Sequence, residues 1–194
     1  MKRILKTATV LALLLTATVS MAKDAEVRLS AVKESKNLVL TLDGASKDLT
    51  VRFTDVEEHI LYFEKLKDGT HKKTFNLESL QNGTYYLATS DAHKSILYTV
   101  SVDGDKVKIL SKEEVIKPHF RKTKGKIFVS FLNLDRSKVD IKVYDEEYRV
   151  VFSEIFTEKM IVEKAFNFEG AYAGNYKIVV SDVKKSFSEN FIVD

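Results

Sequence analysis

Two acidic clusters offer the densest metal-ligating chemistry in this chain. Asp55, Glu57 and Glu58 form one; Asp145, Glu146 and Glu147 form the other. Calcium takes several clustered oxygens, so both are candidate cation turns. Neither has the spacing or the central glycine of an EF-hand loop, and a solvated hairpin turn accounts for the same composition. The four histidines, His59, His71, His93 and His119, make no pair at metal-ligand spacing, and no cysteine is present to complete a tetrahedral site. Nucleophilic chemistry has no foothold either: G-x-S-x-G elbows and glycine-rich phosphate loops are absent from the sequence. The expectation is therefore no catalytic residue, no metal and no cofactor. Tyr62, Tyr86 and Tyr144 fall at outward phases of alternating segments and suggest a sugar-stacking platform. The lack of tryptophan deprives it of the largest stacking surface.

The elements that would position these residues occur twice. Thr74–Asp91 (TFNLESLQNGTYYLATSD) recurs as Ala165–Asp182 (AFNFEGAYAGNYKIVVSD). Phe75, Asn76, Glu78, Gly83, Tyr85, Ser90 and Asp91 reappear as Phe166, Asn167, Glu169, Gly174, Tyr176, Ser181 and Asp182. Asn37–Leu42 likewise matches Lys126–Phe131, and Leu49–Asp55 matches Val139–Asp145. The spacing is far longer than a solenoid repeat, so it reads as one domain duplicated.

Within each copy the hydrophobic period is two. Leu49, Val51 and Phe53, and in the second copy Val139, Ile141 and Val143, alternate with polar residues. That is the signature of strands with one buried face. Glycines fall between the runs, and Asp103-Gly104 marks a hairpin. About seven strands per copy, with frequent turns, predict an all-β fold of two tandem immunoglobulin-like or fibronectin-like β-sandwich domains. Tyr85 and Tyr176 follow Gly83 and Gly174 at the start of a strand. This is the place of a tyrosine corner, whose hydroxyl bonds back to the preceding turn.

Leu80–Leu87 (LQNGTYYL), preceded by Phe75-Asn76-Leu77, resembles the L-x-x-G-x-Y-x-L segment of the type IX secretion C-terminal sorting domains of Bacteroidota. The likeness covers roughly 49–102 and, more weakly, 139–193. It implies small immunoglobulin-like sandwiches on exported proteins. The chain closes on Phe191-Ile192-Val193-Asp194 without a basic tail. The second copy is accordingly not expected to act as a sorting signal itself.

Lys2, Arg3 and Lys6, the apolar run Ala8–Val19, and Ser20-Met21-Ala22 make residues 1–22 an expected signal peptide. The apolar run is too short to span a bilayer, which needs about 20 such residues. With the three basic leader residues removed, acidic and basic residues balance, in the whole and in each half. That balance speaks against nucleic acid and anionic membranes as partners. The expected organisation is a leader at 1–22, domain 1 at 23–110, a short polar linker at 111–117 and domain 2 at 118–194. The function expected is an exported, non-enzymatic binding protein, periplasmic or else secreted or at the cell surface, recognising a protein or glycan of the envelope. A type IX secretion-associated role and a carbohydrate-binding accessory role are the alternatives.

Overall fold

A computed structural model describes residues 26–32, 35–45, 48–67 and 69–193. The expected leader lies outside them. The described residues contain no helix, and fifteen strands carry the fold. In domain 1, β1 (Glu26–Ala31), β2 (Asn37–Ala45) and β5 (Gly69–Asn76) form a sheet in the order β1-β2-β5. Its partner contains β3 (Leu49–Thr54), β4 (Ile60–Leu66), β6 (Gly83–Ser90), β7 (Lys94–Asp103) and β8 (Lys106–Ile116), ordered β4-β3-β6-β7-β8. In domain 2, β9 (His119–Thr123), β10 (Lys126–Leu132) and β13 (Ile161–Asn167) run β13-β10-β9. Opposite lie β11 (Val139–Tyr144), β12 (Val150–Phe156), β14 (Gly174–Ser181) and β15 (Ser186–Val193), ordered β12-β11-β14-β15. The two domains share one topology, strand for strand, with β8 as the addition. In both, the fourth strand pairs with the third. A constant-type immunoglobulin domain would place it in the other sheet, so the arrangement is the fibronectin-like one.

The alternation places the cores. Leu38, Leu40 and Leu42 from one sheet meet Val51, Phe53 and Leu87 from the other. Ile127, Val129 and Phe131 meet Ile141, Val143 and Ile178 in domain 2. Phe75 lies opposite Leu38 in register, as Phe166 lies opposite Ile127. A bulge falls at the same place in each copy, between Phe53 and Thr54 and between Val143 and Tyr144.

The polar residues that recur between the copies are turn residues. Asn76 Oδ1 accepts the Glu78 amide, as Asn167 Oδ1 accepts that of Glu169. Asp91 Oδ1 accepts the amides of His93 and Lys94; Asp182 Oδ1 accepts those of Lys184 and Lys185. Short polar side chains closing turns on their own backbone explain why these types persist when neighbours change.

One expectation changes, and two differences separate the copies. First, the segment expected as a linker is strand through Ile116. Ser111 faces Thr99, Lys112 faces Tyr98 and Glu113 faces Leu97 on β7, beyond a bulge at Thr99/Val100. Its polar composition is that of an edge strand open to water on both faces. Only Lys117 and Pro118 separate β8 from β9. The Lys117 amide donates to His93 O at 2.7 Å, and its ammonium donates to Ser90 Oγ and Asp91 O, both at 2.6 Å. Second, β7 and β15 occupy equivalent places in unlike surroundings. Tyr98 on β7 is buried and donates to Val27 O at 3.0 Å. Glu189, its counterpart on the edge strand β15, meets Lys122 Nζ at 2.5 Å with partial exposure. The edge position removes the cost of enclosing a lone charge. Third, the corner glycines differ. Gly174 has φ +149, whereas Gly83 has no positive φ.

Candidate functional site

The acidic turns are built around their first residue. Asp55 Oδ1 accepts the Glu57 and His59 amides, both at 2.9 Å, and Oδ2 lies 3.0 Å from His59 Nδ1. Asp145 Oδ1 accepts the Glu147 and Arg149 amides at 3.1 and 2.9 Å, and Oδ2 accepts Arg149 Nε at 2.7 Å. Partial burial pushes both carboxyls up, but these bonds outweigh it and hold each below the ordinary carboxylate range. The hydrogen bond to Asp55, together with its charge, raises the His59 imidazole above its ordinary value. Among the described residues no group of three or more histidine, aspartate or glutamate side chains is arranged to hold a metal ion. The best oxygens of each turn are already committed to backbone amides.

Tyr85 Oη donates to Gln81 O at 2.9 Å, and Tyr176 Oη donates to Tyr172 O at 3.0 Å. Both bonds tie the strand start to the loop before it. The tyrosines read as a sugar platform do not form one. Tyr62 points inward and packs edge-on against Phe75, ring centroids 5.1 Å apart. Its phase is inward because the bulge at Phe53/Thr54 shifts β4 by one residue relative to β3. Tyr86 and Tyr144 are half-buried on the outer faces of different domains.

Inward-pointing charges close the open sides of both sandwiches. Lys73 Nζ lies 4.7 Å from the Tyr62 ring and 3.8 Å from Glu64 Oε2. In the second copy Lys164 lies 5.0 Å from the Phe152 ring and pairs with Glu154. Repetition in both domains marks this arrangement as part of the architecture.

The copies diverge at one place that the fold does not dictate. At the loop end of domain 2, the β11–β12 and β13–β14 turns flank a recess of about 550 Å³ lined by Glu146, Arg149, Val150, Tyr172 and Gly174, among others. Tyr172 is 91% exposed and Tyr148, on the first turn, 78%. Glu146 Oε2 approaches the Asn175 amide at 3.5 Å and sits 3.1 Å from where a Cβ on Gly174 would be. Arg149 is fully engaged, by Asp145 at 2.7 Å and Glu147 at 2.9 Å. Glu146 makes no ion pair among the described residues. The equivalent turns of domain 1 carry Val56, Glu58 and Gln81 at the positions of Glu146, Tyr148 and Tyr172. Glu58 and Tyr148 even share the left-handed conformation, φ 66 and 60. The acidic triplets therefore do not match residue for residue. Sequence reasoning passed over Tyr148 and Tyr172 because it looked for what recurs. Departure from the repeat at the turn positions was the signal available.

No protein-family model matches this chain, and no curated protein matches it. Solved structures that resemble it include a biofilm-associated protein BSP domain, at 15% identity and a TM-score of 0.29 over 87% of this chain. The chain spans 29% of that protein's length. Another is the human OSCAR ligand-binding domain, at 10% identity and a TM-score of 0.26, covering 87% of this chain and 97% of that one. The β-sandwich architecture rests on the sheets described above. Likenesses this low carry nothing about ligands.

Proposed function

We propose that this is an exported, non-enzymatic binding protein of the cell envelope, and that it recognises its partner with the loop end of domain 2. Export follows from the leader-like residues 1–22, and a periplasmic or surface location follows from export. The observation that carries the reading is Tyr172: a large ring held almost wholly in water, beside a recess, where the sister domain has Gln81. Exposed tyrosines on loops fixed by a rigid sandwich supply contact area at little cost in conformational entropy. Nothing in the fold requires the ring to be there, since domain 1 builds the same corner without it.

The test is capture from envelope extract by protein beginning at Lys23, compared with a Tyr148→Ala/Tyr172→Ala variant. The reading expects one or more partners retained by the parent and lost by the variant. An identical capture profile overturns it, as does detectable hydrolysis in a broad substrate screen.

A further inference from the structure

We infer that the recess at the loop end of domain 2 takes a cationic side chain, so that its partner presents a lysine- or arginine-bearing segment of polypeptide. This rests on the binding reading above and adds the chemistry of the ligand.

Three features meet at the recess. The exposed Tyr172 ring offers a π face, which attracts an ammonium or guanidinium within about 6 Å of its centre. Glu146 supplies a carboxylate on the recess wall, in contact range of Gly174, and makes no ion pair among the described residues, Arg149 acting on it only from beyond pairing distance. Val150 and Val151 line the same recess and are more than half exposed, giving apolar surface along which a lysine or arginine stem can lie. The local charge has the complementary sign. Arg149 answers Asp145 and Glu147 together, leaving this turn with two net negative charges, and Glu146 is the carboxylate that Arg149 leaves unpaired. A neutral sugar would stack on the ring and donate hydroxyls to Glu146, but it would draw nothing from the net charge of the turn. A cationic side chain uses the ring, the apolar wall and the carboxylate at once.

Domain 1 provides the internal comparison. Its equivalent turn, Asp55 to His59, is just as acidic, but Val56 replaces Glu146 and no tyrosine stands at either tip position. Charge attraction alone would draw a cation equally to both turns. The inference assigns it to domain 2.

The experiment is an amide chemical-shift titration of the full mature chain with a short peptide alternating lysine and threonine. Matched glutamine–threonine and glutamate–threonine peptides and a neutral hexasaccharide serve as the other probes. The lysine peptide is expected to shift residues 146–151 and 172–175, to leave 55–61 unmoved, and to bind Glu146→Gln about tenfold more weakly. Equal shifts at both acidic turns, or equal binding of the glutamine peptide, would overturn the inference. Shifts at Tyr172 caused by the hexasaccharide and not by the lysine peptide would overturn the ligand class while leaving the site in place. If no probe moves the recess and the tyrosine variant still captures the same partners, the binding reading itself fails with it.

Discussion

The Tyr176 hydroxyl donates to the backbone carbonyl of Tyr172 at 3.0 Å, so a packed tyrosine fixes the loop that presents an exposed one. Domain 1 uses the same bond, Tyr85 to Gln81, with nothing aromatic to present. The corner is architecture; what it displays differs between the copies.

Tyr85→Phe is expected to destabilise domain 1 by about 0.5–1.5 kcal/mol, the usual net value of one hydrogen bond. Tyr85 is only 8% exposed, so the hydroxyl that is removed belongs to a packed side chain. The Tyr176 bond lies nearer solvent, and Tyr176→Phe is expected to cost less in stability. It should nonetheless weaken partner capture by loosening Tyr172. Urea denaturation and the capture assay together check both.

Most of the fold was legible in the sequence because it rests on a period of two that repeats. Val51, Phe53, Val139 and Ile141 could point only inward without exposing whole faces. The extent of β8 was not legible: Ser111–Glu114 is polar because it is an edge, and an edge strand has the composition of a linker. Tyr62 was misplaced because a one-residue bulge reverses phase without leaving a compositional mark. The aromatic part of the candidate site was hidden for another reason. Duplication highlights residues shared for turn-making, such as Asn76 and Asn167, while the informative positions at 146, 148 and 172 are those where the copies part.

The Asp55–His59 contact predicts a pH dependence near neutrality that the Asp145–Arg149 turn of domain 2 does not share. His59 titrates above its ordinary value of 6.5 in the folded chain, so its contribution is complete below 6.5 and disappears as pH rises through the folded value. Asp55 is depressed below 3.8, so its contribution is present above 3.8 and fades as pH falls through its folded value. The pair is strongest between those limits. Arg149 stays charged throughout neutral pH, so its turn should show no matching change above 6.5. Histidine ring resonances should place the His59 midpoint above 6.5, and Asp55→Asn should lower it. A midpoint at or below 6.5 in the parent contradicts the contact.

Lys122 and Glu189 blunt the free edge of β15. Lys122 Nζ also donates to Asn190 O at 2.7 Å, covering an edge carbonyl, and Glu189 places a charge toward the sandwich. Inward charges and lysines are common guards against strand addition. Lys122→Thr combined with Glu189→Val is expected to promote concentration-dependent self-association in sedimentation experiments, while leaving thermal stability unchanged or slightly raised. A strictly monomeric double variant would show that the edge is protected by other means.

Residues 111–116 should resist proteolysis, because they pair with β7 and only Lys117-Pro118 bridges the sheets. Lys117 itself is pinned by three hydrogen bonds. Trypsin under native conditions is expected to spare Lys112, and a glutamate-specific protease to spare Glu113 and Glu114. Rapid separation into two halves at those residues would contradict the continuous strand.

The most direct test exchanges the tips. Glu146→Val, Tyr148→Glu and Tyr172→Gln together give domain 2 the loop end of domain 1 on an unchanged backbone. Solvent-exposed positions outside packed or capped sites usually change stability by no more than about 0.5 kcal/mol. The account predicts a triple variant with parental stability and no partner capture. Capture at the parental level, or a large loss of stability that shows these residues are needed for folding, would contradict it.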